Sequence, residues 1–154
     1  MGHHYLNKLF APESVAVFGA SEKSNAVGTL IYENLSNGGF KGELYPINPK
    51  YKQINDIKCY ASIDDIGKAI GLVVIATPAS TVPKILRQCG EHGVKNAVVI
   101  SAGFAESGTY GKKLEHELSE VQRRRFAEIF ERVGPKAEKH WRKVMAMLSE
   151  QIEF

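Results

Sequence analysis

Apolar residues in this chain fall into short runs, and each run ends in glycine, proline or a small polar residue. The first is Ser14-Val15-Ala16-Val17-Phe18. It is continuous rather than alternating, which fits a strand buried on both faces of a parallel sheet. A turn containing Gly19, Ala20 and Ser21 follows, and residues 27–37 read as a helix. Asn37-Gly38-Gly39 stops that helix, because glycine takes the left-handed conformation that a helix end prefers. The second strand is Glu43-Leu44-Tyr45-Pro46-Ile47, ending in Asn48-Pro49-Lys50, and a short extended piece is expected near Lys58-Cys59-Tyr60. A weak helix should start at Ser62 as its N-cap, with Asp64 and Asp65 in the first turn. The third strand, Gly71-Leu72-Val73-Val74-Ile75-Ala76, is apolar throughout, and Thr77-Pro78-Ala79-Ser80 turns it into a helix that Gly93 closes. The fourth is Asn96-Ala97-Val98-Val99-Ile100, followed by Ser101-Ala102-Gly103.

Strands that alternate with helices in this way predict an α/β fold with a parallel sheet and helices on both faces. Parallel strands all point one way, so their carboxyl ends share one edge, where open α/β sheets bind ligands. Residues 19–21, 48–50, 77–79 and 101–103 should therefore converge.

The chemistry of those tips narrows the ligand. The dinucleotide spacing G-x-G-x-x-G is absent from 19–28. Yet a Gly-Ala-Ser turn between a strand and a helix still suits a phosphate, because a helix N-terminus carries partial positive charge. Ser21 and Ser24 add hydroxyl groups. The end of the second strand has no acid for the ribose hydroxyls of NAD and offers Lys50 instead. A cation there favours a phosphate near the adenosine ribose, as in NADP or coenzyme A. Thr77-Pro78-Ala79 is compact and rigid, suited to flank an adenine or a linear chain, and equally suited to be a plain strand-to-helix turn.

The totals exclude more than they assign. A chain of 154 residues suits one domain, and net charge +3 is too mild to argue for nucleic acid. No apolar run approaches the roughly 20 residues that a membrane helix needs. The N-terminus lacks the long apolar segment of a secretory signal, so a cytoplasmic protein is expected. Cys59 and Cys89 stand 30 residues apart and read as half-buried reduced thiols, not as a zinc or redox motif. His92 and His116 read as exposed helix residues. No metal site is expected.

Residues 9–21, Leu-Phe-Ala-Pro-Glu-Ser-Val-Ala-Val-Phe-Gly-Ala-Ser, resemble the opening of the CoA-binding domain of NDP-forming acyl-CoA synthetases. That domain also opens the bacterial protein acetyltransferases and, in a more distant version, the succinyl-CoA synthetase alpha chain. The resemblance continues through Gly39-Phe40-Lys41-Gly42, Tyr45-Pro46-Ile47-Asn48-Pro49-Lys50-Tyr51, Val74-Ile75-Ala76-Thr77-Pro78-Ala79 and Val99-Ile100-Ser101-Ala102-Gly103-Phe104-Ala105-Glu106. Each stretch is weak alone, and the ordered set is specific. It implies a Rossmann-like fold holding the 3′-phospho-ADP part of coenzyme A. Gly19, Ala20, Ser21 and Ser24 would meet the nucleotide phosphates and Lys50 the phosphorylated ribose. Thr77, Pro78 and Ala79 would line the adenine or pantetheine path, and Ser101, Ala102 and Gly103 would border the thiol arm. Val27, Asn48, Pro49, Tyr51 and Val82 complete the expected set.

The resemblance is read over about residues 7–118, so 1–118 is expected to be the CoA-binding domain and 119–154 a helical extension. There, Phe126, Ile129, Phe130 and Val133 fall on one helical face, and Trp141, Met145, Leu148 and Ile152 repeat at amphipathic spacing. A packed helical hairpin is expected, with a homodimer or partner-subunit contact through it as the sharper alternative. The phosphohistidine region of the synthetases and their nucleotide-activating portion have no counterpart in the resemblance. The expected function is therefore binding of coenzyme A or acyl-CoA, without catalytic machinery of its own. The alternatives are a CoA-binding subunit or fragment of an acetate–CoA ligase or protein acetyltransferase, and an NADP-binding module.

Overall fold

The structure is a computed structural model, and it describes residues 9–101, 108–114, 116–117 and 120. The chain divides into two compact units, Met1–Glu115 and His116–Phe154. The sheet lies in the first. The expected helical stripes from Phe126 to Ile152 lie outside the described residues, as do Ala102 and Gly103.

Strand β1 is Ser14–Phe18 and every residue in it is buried. Helix α1 runs Val27–Asn37 and leads to β2, Glu43–Ile47. Two short strands, β3 (Gln53–Ile54) and β4 (Ile57–Lys58), form a hairpin of their own. A 3-10 turn, Ile63–Ile66, precedes β5 (Leu72–Ile75). Then come a second 3-10 turn at Ala79–Thr81, helix α2 at Val82–Glu91, and β6 at Ala97–Val99.

The sheet order is β2-β1-β5-β6, and all three pairings are parallel. From β1 the chain crosses outward to β2, whereas from β5 it crosses in the opposite direction to β6. Right-handed crossovers in opposite directions put α1 and α2 on opposite faces of the sheet. Alternating side chains serve the two faces. Val15, Val17, Leu72 and Val74 join Tyr32 of α1 in one buried cluster. Ala16, Phe18, Val73 and Ile75 point the other way and are between 0% and 5% exposed.

The Ser62 expectation holds in detail. Its hydroxyl accepts from the Asp64 amide, Asp65 returns a bond to the Ser62 amide, and Gly67 ends the turn at φ +67°. His92 departs from expectation. It sits at the C-terminal end of α2 with its side chain 15% exposed. Nε2 lies 2.9 Å from the Lys68 carbonyl oxygen and Nδ1 lies 3.3 Å from Asp64. Cys59 and Cys89 are reduced and more deeply buried than expected, at 6% and 2% exposed.

Candidate functional site

The strand tips meet as the topology requires. Beyond the strands proper, the ladder continues by one bond at each step. Gly19 N donates to Ile47 O at 3.1 Å, Ala76 N to Phe18 O at 3.0 Å, and Ile100 N to Ile75 O at 2.8 Å. Gly19, Asn48, Thr77 and Ser101 therefore follow directly on hydrogen-bonded neighbours along one edge. The strand order reverses direction between β1 and β5, and such a switch point opens a crevice for ligands.

Two glycines let the backbones at these tips pack closely. Gly19 has φ +92°, and a Cβ there would run into the Ala76 carbonyl, with the carbonyl carbon at 2.9 Å. Gly28, in the first turn of α1, lies against the loop itself, and its Cβ would stand 2.8 Å from Ala20 N. The helix N-terminus thus approaches the loop backbone as closely as atoms allow. Ala26 caps α1 in an extended conformation with no side-chain hydrogen bond. The first-turn amides are left to other partners, which is the condition for anion binding at a helix start. Val27 is 50% exposed beside them.

Polar side chains hold the loop rather than extend from it. Thr29 Oγ1 accepts from Ser21 N at 3.1 Å and donates to Ser21 O at 2.8 Å. Because the Thr29 proton is used there, the 3.2 Å contact between the two hydroxyls takes the proton of Ser21. Ser21 Oγ also accepts from Lys23 N at 3.2 Å. Ser21 is therefore turned inward, 7% exposed. Ser24 is exposed, as is Lys23, which sequence reasoning passed over.

On the neighbouring loop, Pro49 and Lys50 are exposed and Tyr51 is half-buried against the core. In the loop after β5, Pro78 is exposed and Thr77 half-buried, and Thr81 Oγ1 bonds to Thr77 Oγ1 at 2.8 Å. Ala79 and Val82, next along the chain, are buried at 5% and 0%. Ser101 is half-buried, with Oγ 3.5 Å from Ile75 O. Gly28, Thr29 and Thr81 were missed from sequence. The signal for the first two was a glycine followed by a polar residue in an otherwise apolar helix start.

Burial pushes the Cys59 thiol up from its ordinary value of 9.0, which keeps it neutral and unreactive behind the second loop. No group of His, Cys, Asp and Glu suited to a metal occurs among the described residues. An apolar groove of about 440 Å³ lies elsewhere, on the sheet face beside α1. It is lined by Val15, Leu72, Val74 and Val98 from the sheet and Ile31 and Leu35 from the helix, and it includes none of the strand-tip loops.

Comparison with known proteins gives a consistent picture. Residues 13–141 match the family model for the CoA binding domain. The chain is 49% identical over 113 residues to an ADP-forming acetate–CoA ligase of Methanocaldococcus jannaschii, covering 73% of this chain and 16% of that protein. It is 42% identical over 123 residues to the alpha subunit of ADP-forming acetate–CoA ligase I of Pyrococcus furiosus, covering 77% of this chain and 27% of that subunit. Among solved structures, the dinucleotide-forming acetyl-coenzyme A synthetase 1 of Ca. Korarchaeum cryptofilum superposes with a TM-score of 0.70 at 40% identity. That match covers 75% of this chain and 25% of the synthetase. The chain thus spans between about a sixth and a quarter of these longer relatives.

Proposed function

Because the chain belongs to the CoA binding domain family, we propose that it binds coenzyme A across the strand tips, with the pyrophosphate at the β1 loop and the phosphorylated ribose near Lys50. The observation that carries this reading is the β1 loop and α1 start, where Gly19 and Gly28 bring the helix amides against an uncapped turn. In this reading Ser24, Val27 and Lys23 face the phosphates. Pro49, Lys50 and Tyr51 take the adenosine end. Thr77 and Pro78 form the opposite wall on the base of Ala79 and Val82, and Ser101 borders the pantetheine arm. Free coenzyme A and acyl-CoA share every one of these groups except the thiol end.

Isothermal titration tests the reading. Coenzyme A should bind more tightly than dephospho-CoA, by about tenfold if Lys50 contributes one charge-assisted bond to the 3′-phosphate. Lys50→Ala should bring the two affinities together. Equal affinities in the unaltered protein remove Lys50 from that role, and no binding of coenzyme A sinks the reading. At a concentration 100 times its dissociation constant, coenzyme A should stabilise the fold by about 2.7 kcal/mol, visible as a raised melting temperature.

A second reading follows from the Pyrococcus furiosus relative, which is an alpha subunit. This chain would supply the CoA site of an acyl-CoA ligase whose other groups come from a partner subunit. Co-purification with such a subunit, and ligase activity only in the mixture, would support it. Full activity of the chain alone would overturn it. Among the described residues no helix is long and apolar enough to cross a membrane.

A further inference from the structure

The residue that follows β2 stands where dinucleotide-binding sheets place an acid for the ribose hydroxyls. Here it is Asn48, and its side chain is used for something else. Nδ2 donates to the Ala20 carbonyl at 2.8 Å, across 28 positions of sequence. Oδ1 accepts from Lys50 N at 3.0 Å. The backbone is equally engaged. Asn48 N donates to Tyr60 O at 2.8 Å, and Asn48 O accepts from Tyr51 N at 3.2 Å and from Cys59 Sγ at 3.6 Å. One residue thus ties together the β1 loop, the lysine turn and the chain returning at Tyr60.

We propose that Asn48 is a positioning residue that holds the β1 loop and the Lys50 turn in one register. A nucleotide then meets both loops already placed, and little ordering cost falls on binding. The proposal rests on the reading that these loops take coenzyme A. Asparagine suits the task because its amide presents a donor and an acceptor on one planar group. Aspartate would set a carboxylate oxygen against the Ala20 carbonyl. Serine can accept from the Lys50 amide, as serine does in tight turns, but brings no amide donor to Ala20. The β1 loop is then gripped from two sides, by Thr29 on α1 and by Asn48 on the β2 side. Removing the second grip frees the loop without unfolding the sheet.

Three variants of the full chain separate the roles: Asn48→Ser, Asn48→Ala and Lys50→Ala. Each is titrated with coenzyme A and with dephospho-CoA well below its melting temperature. Amide hydrogen exchange is followed at residues 19–24 and 50–51 without ligand. Asn48→Ser should weaken both ligands by the same factor, about fivefold to tenfold for one lost part-buried bond. The ratio between the two ligands should survive, because the lysine turn is kept. Asn48→Ala should lower both affinities and also collapse the ratio. Lys50→Ala should collapse the ratio alone. In both Asn48 variants exchange at 19–24 should accelerate about tenfold, and at 50–51 only in Asn48→Ala. A merely structural asparagine would lower the melting temperature and leave affinities and local exchange as they were, and that result overturns the proposal. So does unaltered affinity of Asn48→Ser for dephospho-CoA. If the unaltered protein binds neither ligand but loop exchange still rises, the brace stands and the CoA reading falls.

Discussion

Thr29 is 3% exposed, and its hydroxyl serves three atoms of Ser21 at once. Valine has nearly the same shape without the hydroxyl, so Thr29→Val would leave the Ser21 amide and carbonyl without their partner in a buried place, while the Ser21 hydroxyl keeps only the bond from Lys23 N. Leaving buried polar groups unpaired costs about 1–3 kcal/mol, up to about three times what an average hydrogen bond contributes. Thr29→Val should therefore lower the urea midpoint by an amount corresponding to about 2 kcal/mol, with an unchanged m-value. Thr29→Ser, which keeps the hydroxyl and loses a methyl group, should cost about 1 kcal/mol or less. Equal losses in the two variants would show that packing, not the hydroxyl, holds the loop. The same reasoning separates Ser21 from Ser24. Both hydroxyls are visible in the sequence as candidate ligand donors. Only the structure shows that the proton of Ser21 is committed to Thr29 while Ser24 stays exposed.

Helix α1 carries the phosphate proposal, and its start is set by Gly28. In an exposed helix interior, replacing glycine by alanine gains about 1 kcal/mol. Here the added methyl would meet the backbone of Gly19 and Ala20, which cannot rotate away as a flexible side chain would. Overpacking of that kind costs about 1–3 kcal/mol, so the sign should reverse. Gly28→Ala should lower the melting temperature and weaken coenzyme A by more than any loss of stability explains at room temperature. A stabilised variant with unchanged affinity would remove Gly28 from the site. The main elements were legible because their patterns are local. Ser14–Phe18, Val27–Asn37 and Glu43–Ile47 have the bounds that the runs and glycine stops predict. The hairpin of β3 and β4 was not read, because two-residue strands are too short to show a period. Its signal was the turn Asn55-Asp56, whose φ angles of 48° and 64° are those of a tight hairpin turn. The tips of the strands could be named in advance, since parallel topology brings them together. The grip of Asn48 on Ala20 and of Thr29 on Ser21 could not, because nothing local tells which atoms meet across a crevice.

The whole molecule should respond to alkali through its buried thiol and phenol groups. Desolvation raises the Cys59 thiol above its ordinary 9.0, and it raises Tyr32 above 10.0 with a further push from neighbouring Cys59. Tyr45 is raised in the same way, chiefly by desolvation and then by its bond with Glu43. Each group is neutral when protonated and harder to ionise in the folded chain than in the unfolded one. Their stabilising contribution is fully present below the unfolded-state values and is lost as pH rises toward the folded-state ones. Folding stability should thus begin to fall as pH passes about 9, where the unfolded thiol ionises first, and fall more steeply once tyrosines follow near 10. Cys59→Val fills a similar volume without a titrating group. It should flatten the first part of that decline and leave the tyrosine part intact. Denaturant midpoints measured from pH 7 to 10.5 would show this as a difference in slope, whatever the variant does to stability at neutral pH. Parallel curves for the two proteins would mean that Cys59 ionises as easily in the fold as outside it, and that the loop carrying Asn48 is not backed by a dry core.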